Sequence, residues 1–189
     1  MNNGGILFWQ PQRDYLRSLS HTLWGKKTLV VLNYLIWFYL FYVSYRLIKT
    51  DANIFWQIAI ACIIAEVIER LLKAKIFWKR PLFEHRDQIP PGLVKKWYQT
   101  GSFPSGHTSK AVFFFLFILH YHVMSPIIYL LITIPLLLFR VLVGFHYPID
   151  MLGGLIVGIS SWLVVYQLTF PRFLIESIHK IFNFVFFIH

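Results

Sequence analysis

The chain has 189 residues, of which 57% are hydrophobic, 19% aromatic and only 14% charged, and its formal net charge is +10. With a mean hydropathy of +0.59 it has too little polar surface for an ordinary soluble domain of this size, which points to an integral membrane protein. A nucleic-acid partner is excluded by where the charge sits: Arg70, Lys73, Lys75, Lys79, Arg80, Arg86, Lys95 and Lys96 crowd one connection between apolar spans, which suits an anionic headgroup or substrate.

In chain order, residues 1–26 lack the basic start, apolar core and small-residue cleavage site of a secretory signal. Tyr15, Leu16, Leu19 and Leu23 recur at helical spacing opposite Arg13 and Arg17, which predicts an amphipathic helix lying in the membrane interface. Residues 27–189 form one all-α membrane domain. Apolar windows able to cross a hydrocarbon core of about 30 Å predict five spans, at 27–47, 53–77, 107–123, 125–142 and 148–170. A sixth apolar segment, 173–189, carries Glu176 and Lys180 and reads as an interfacial helix or a short sixth span, with the former preferred. Ser125-Pro126 leaves almost no linker between spans three and four, so they pair antiparallel. Gly154 and Gly158, four apart on span five, allow close helix approach. The long connection 82–104 is broken by Pro90-Pro91-Gly92 and carries Trp97 and Tyr98, which suit an interface. Cys62, the single cysteine, rules out an intramolecular disulfide and a cysteine zinc site.

With five spans, three polar stretches fall on the same side of the membrane. In "KAKIFWKRP", Lys73 and Arg80 are seven apart and are expected to share a helix face. The plainer reading is that they are snorkelling cations, with Lys73 paired to Glu69 one turn earlier. In "PSGH", Ser105 can cap a helix, Gly106 allows close approach, free amides at the helix start form an anion site, and His107 lies beside it. An ordinary cap with an incidental histidine reads as well. In "RVLVGFHYPID", Arg140 ends span four, Gly144 lets the chain turn, and Pro148 opens span five. His146 and Asp150 are then either loop polars or a pair in which the carboxylate orients the imidazole. A metal held by His107, His146 and Asp150 is disfavoured, because no third strong ligand is evident and nearby cations would repel it. Together the stretches set two imidazoles, a carboxylate, a lysine and two arginines at one membrane face. Cations at mid-span cost about 2.5–3.5 kcal/mol each. An anionic partner explains them, and a phosphate best uses fork donors and helix amides together.

These motifs resemble the type 2 phosphatidic-acid phosphatase superfamily of membrane lipid phosphatases. Its Lys-x6-Arg-Pro, Pro-Ser-Gly-His and Ser-Arg-x5-His-x3-Asp pattern is met by Lys73…Arg80-Pro81, Pro104-Ser105-Gly106-His107 and Arg140…His146…Asp150. One departure is Phe139, where the family usually has Ser. Another is that six spans are usual. The resemblance implies His146 as nucleophile forming a phosphohistidine, Asp150 as its orienter, and His107 as the acid and then the base. Lys73, Arg80, Arg140 and the amides of Ser105 and Gly106 would hold the phosphoryl oxygens, with no cofactor and no metal. The implied substrate is a membrane lipid phosphate: undecaprenyl diphosphate first, with phosphatidylglycerol phosphate and the 1-phosphate of lipid A close behind. A phosphotransferase using the same phosphohistidine, or a lipid-binding or transport protein without catalysis, are the alternatives. A haloperoxidase is disfavoured by the membrane setting. Small size and lack of a soluble domain resemble bacterial members, which implies a multi-pass protein of the cytoplasmic (inner) membrane. Counting Lys and Arg puts the site in the cytoplasm, whereas bacterial relatives usually face the outside. The latter is expected here, since cations kept for chemistry inflate the count.

Overall fold

The computed structural model describes residues 5–12, 23–81 and 100–186. The expected interfacial helix lies mostly outside them, as do Arg86, Lys95, Lys96, Trp97 and Tyr98. Among the described residues there are six α-helices and no strand: α1 Leu23–Thr50, α2 Asn53–Ala74, α3 Gly106–Tyr121, α4 Pro126–Leu142, α5 Pro148–Val165 and α6 Arg172–Phe186. A short 3-10 turn, Ile6–Phe8, precedes them. The fold is therefore the expected all-α bundle.

Each boundary near the site has a local cause. Ser105 caps α3 by accepting from Thr108 N at 3.5 Å, and His122 ends that helix in the left-handed region at φ 52°. Ser125 caps α4, whose first residue is Pro126. Tyr147 is held extended (φ −82°, ψ 158°) ahead of Pro148, so α5 starts where its proline has no amide to waste. Several expected boundaries differ: α1 runs Leu23–Thr50 rather than 27–47, and α5 ends at Val165 rather than 170. The difference that bears on the site is in α2. The second helix ends at Ala74 rather than 77, and Ile76 turns the chain at φ 44°. Lys73 and Arg80 therefore do not share a helix face. Arg80 lies beyond a sharp turn that the spacing of seven could not reveal, since a β-branched residue seldom takes positive φ.

The core is built from Leu40 and Val43 of α1, Ile54 and Ala61 of α2, Phe113 and Phe117 of α3, and Tyr129 of α4. Tyr129 donates its hydroxyl to Ala111 O at 2.8 Å. The α3–α5 pair packs closest, and the two glycines explain it. A methyl added at Gly154 would lie 2.5 Å from Ser105 O, and one at Gly158 would lie 2.5 Å from Ser109 O. The opposite end of the bundle is tied by polar bonds. Gln57 donates to Leu168 O at 2.9 Å and accepts from Tyr121 Oη at 2.9 Å, while Arg46 donates to Val123 O at 3.2 Å.

Outward faces are apolar: Phe38, Phe41, Ile127, Leu131 and Ile156 are all exposed. α5 is long and apolar enough to cross a membrane, and α4 is a shorter apolar helix. α6 has 15 residues, a length of about 22 Å, short of a full crossing.

Candidate active site

The turn between α4 and α5 is the centre of the site. The Arg140 carbonyl accepts from Phe145 N at 2.9 Å and His146 N at 3.3 Å, and Gly144 takes φ 73°, a conformation that a side chain would strain. This tight loop delivers His146 to the interior, 1% exposed. Its Nδ1 lies 3.3 Å from Asp150 Oδ2, one helical turn on, so the two residues meet as the spacing suggested. Asp150 is itself held from four directions. Oδ2 also accepts from Tyr147 N at 2.8 Å and, closely, from Ser102 Oγ, while Oδ1 accepts from Trp78 Nε1 at 2.9 Å. The other imidazole nitrogen, Nε2, faces Arg80, whose Nη1 is 3.3 Å away and also donates to Phe145 O at 3.1 Å.

The remaining predicted residues surround this pair. Ser105 N donates to Asp150 O at 2.9 Å, joining the start of α3 to the start of α5. Gly106 opens α3 against α2, where a methyl group would run into the Glu69 carboxylate. That carboxylate pairs with Lys73, so the ion pair of the plainer reading is present, but Arg80 is buried rather than snorkelling outward. The Arg140 guanidinium is buried and packs 5.3 Å from the centre of the Phe145 ring. His107 meets Trp37 edge-on, with ring centres 4.9 Å apart, and its Nε2 is buried without a hydrogen-bond partner. His107 is also within electrostatic reach of Arg140, His146, Lys110 and Lys73. The structure thus brings all eight predicted residues to one end of the bundle.

Electrostatics there favour an anion. Burial pulls the Arg80 guanidinium down to about 10, and Asp150 and Glu69 offset this only in part. Burial likewise holds the His146 imidazole well below its ordinary range, and Arg80, Arg140 and Lys73 add to the effect. That ring is neutral near pH 7, and a neutral ring has a lone pair to offer. Among the described residues no group of three or more His, Cys, Asp and Glu side chains is arranged to hold a metal ion.

Sequence reasoning missed several participants. Ser102, fully buried, bridges Asp150 Oδ2 and His146 Nδ1, the latter at 3.3 Å. It places a hydroxyl beside the His–Asp pair in a chain that has Phe139 where the family usually has serine. Its one available signal was its position three residues before the Ser105 cap. Trp78, which the sequence did not single out, donates to Asp150. Phe8, from the N-terminal segment, packs on both Trp78 and Tyr147, at 5.2 and 5.5 Å between ring centres.

Comparison with protein families gives one decisive match. The model of the PAP2 superfamily fits residues 54–174, a stretch that contains every residue just described except Phe8 and Trp37. The chain belongs to the PAP2 superfamily. This is the type 2 phosphatidic-acid phosphatase family that the three motifs resemble. Comparison with curated proteins and comparison with solved structures each found no match. PAP2 proteins are phosphatases, often of lipid phosphates, and this chain is a phosphatase of that superfamily.

Proposed function

We propose that this PAP2 protein is a metal-independent, multi-pass membrane phosphatase that hydrolyses a lipid phosphate through a phosphohistidine on His146. One observation carries the reading: the Nδ1 side of His146 is engaged by Asp150 and Ser102, while its Nε2 points to a cluster of buried cations. With a phosphate bound, Arg80 turns its donors from the ring to the phosphoryl oxygens. Arg140, Lys73 and the Gly106 amide take the rest, whereas the Ser105 amide, expected to join them, is already given to Asp150 O.

In the first step His146 Nε2 forms a bond to phosphorus as the bond from phosphorus to the lipid oxygen breaks. His107, brought to its protonated form by the negative charge of the phosphate bound beside it, gives its proton to that oxygen, and the dephosphorylated lipid departs. Asp150 stabilises the charge that grows on the imidazole. In the second step His107 takes a proton from water, the water oxygen attacks phosphorus, the N–P bond breaks and inorganic phosphate leaves. Charge on the equatorial oxygens is held throughout by preorganised cations.

The exposed apolar faces of α1, α4 and α5 favour a lipid-embedded bundle of five spans, with α6 in the interface. Undecaprenyl diphosphate is the favoured substrate, ahead of phosphatidylglycerol phosphate and lipid A 1-phosphate, with the site facing outward from a bacterial cytoplasmic membrane. The test is phosphate release from all three lipids, in the presence of EDTA, by the wild type and by His146→Ala. Release by the wild type alone, with vanadate inhibition, is the expected result. Undiminished release by His146→Ala refutes the mechanism.

A further inference from the structure

Lys110 lies on α3 one turn, about 5 Å, beyond His107, and the reaction above gives it no task. Its side chain is buried. Nζ is 3.4 Å from Glu66 Oε2 and 3.4 Å from Glu69 Oε2, and 5.7 Å from the centre of the Trp37 ring. Trp37 is the same ring that touches His107. Lys110 also lines two cavities. The larger, about 600 Å³, is walled by Phe38, Leu40, Phe41, Ile58 and Phe114 besides Trp37. The smaller, about 360 Å³, has Glu66 and Arg70 in its wall. The lysine therefore stands between the acid–base histidine and an apolar cavity that runs along the bundle.

A lysine whose only task is to staple two helices is expected to have a carboxylate of its own, because a lone charge in an apolar bundle is expensive. Here both carboxylates already have another partner. Glu66 is 2.9 Å from Arg70 Nε, and Glu69 is paired with Lys73. Among the described residues, three cations thus share two carboxylates in this cluster, with Lys110 making the long, divided contacts. Drawing Lys110 away leaves neither carboxylate stranded. An incoming anion can take it without exposing a buried negative charge.

We infer that Lys110 forms a second anion subsite, which holds the tail-side phosphate of a lipid diphosphate while the outer phosphate lies at His146. The hydrocarbon tail then occupies the cavity lined by α1, α2 and α3. This rests on the phosphatase reading above and deepens it. The reacting phosphate sits at the cations of motifs one and three, and the next group toward the tail meets Lys110 before the chain turns apolar. A lipid monophosphate places only an ester oxygen there. Lys110 therefore sets a preference for diphosphates.

The test uses the full-length protein in detergent micelles, with a prenyl diphosphate and the monophosphate of the same prenol as substrates. Lys110→Met is expected to raise KM for the diphosphate at least tenfold, with kcat within threefold of wild type. KM for the monophosphate should change less than twofold, and Lys110→Arg should restore most of the diphosphate KM. If the monophosphate is not turned over, its inhibition constant replaces its KM. Should the methionine variant not fold, Lys110→Gln carries the same comparison. Equal losses on both lipids would mean a structural staple and overturn the inference, as would an unchanged KM for the diphosphate. Wild-type protein that releases no phosphate, or a His146→Ala variant that still does, locates the failure in the phosphatase reading and removes the subsite with it.

Discussion

Gly154→Ala tests whether helix packing alone sets the geometry of the reaction. Gly154 touches no reacting group, yet a methyl there would sit 2.5 Å from Ser105 O and 2.7 Å from Thr108 Cβ, in the first turn of α3. Ordinary contact begins at 3.4 Å, so α3 must retreat from α5 by roughly 0.9 Å. Overpacking of this kind costs about 1–3 kcal/mol. His107 rides on one helix and His146 enters just ahead of the other, so the retreat separates the proposed acid from the proposed nucleophile. A displacement near 1 Å can cost about 100-fold in rate. The expected result is a kcat for phosphate release reduced about 100-fold, with KM little altered and a lower thermal midpoint in detergent. Leu155→Ala, on the outward face of the same helix, is the control and should leave kcat unchanged. Wild-type kcat and thermal midpoint in Gly154→Ala would refute the argument that the α3–α5 contact fixes the site.

Two other expectations follow from the same site. Ser102→Ala removes a hydroxyl donor from a buried carboxylate, a bond worth about 1.5–3 kcal/mol. Tyr147 N and Trp78 Nε1 still hold Asp150, so kcat should fall about tenfold rather than vanish, and an unchanged kcat would make Ser102 a bystander. Burial, with Arg80 and Arg140, holds the His146 imidazole below its ordinary range. The unfolded chain takes up that proton near pH 6.5 and the native chain only at lower pH. His146 thus makes stability decline as pH falls below about 6.5, until the native ring is protonated too. The decline should be smaller in His146→Gln when unfolding is followed between pH 7.5 and 5, and an equal decline in both would contradict it.

What could be read from the sequence was local. Pro148 and Asp150 announce the start of a helix, Ser105 announces another, and i to i+4 spacing joins His146 to Asp150 without knowledge of any other element. Apolar length gave the helices, and the shared end followed from their number. What stayed hidden depends on contacts across long stretches of chain. Trp78 and Ser102 reach Asp150 from the two ends of the long connection between α2 and α3. Glu69 is a commonplace partner of Lys73 until Gly106 is found against its carboxylate. The shared face expected for Lys73 and Arg80 failed because the positive φ of Ile76 has no signature in an isoleucine.

The carboxylate of Asp150 does two jobs at once: it closes the first turn of α5 through Tyr147 N and anchors the ring of His146. A chain that has not wound this turn cannot present a reactive imidazole, even though every motif is present in its sequence. Chemical competence thus arrives only with correct threading. Under the proposed mechanism, copies that have not closed this turn release no phosphate.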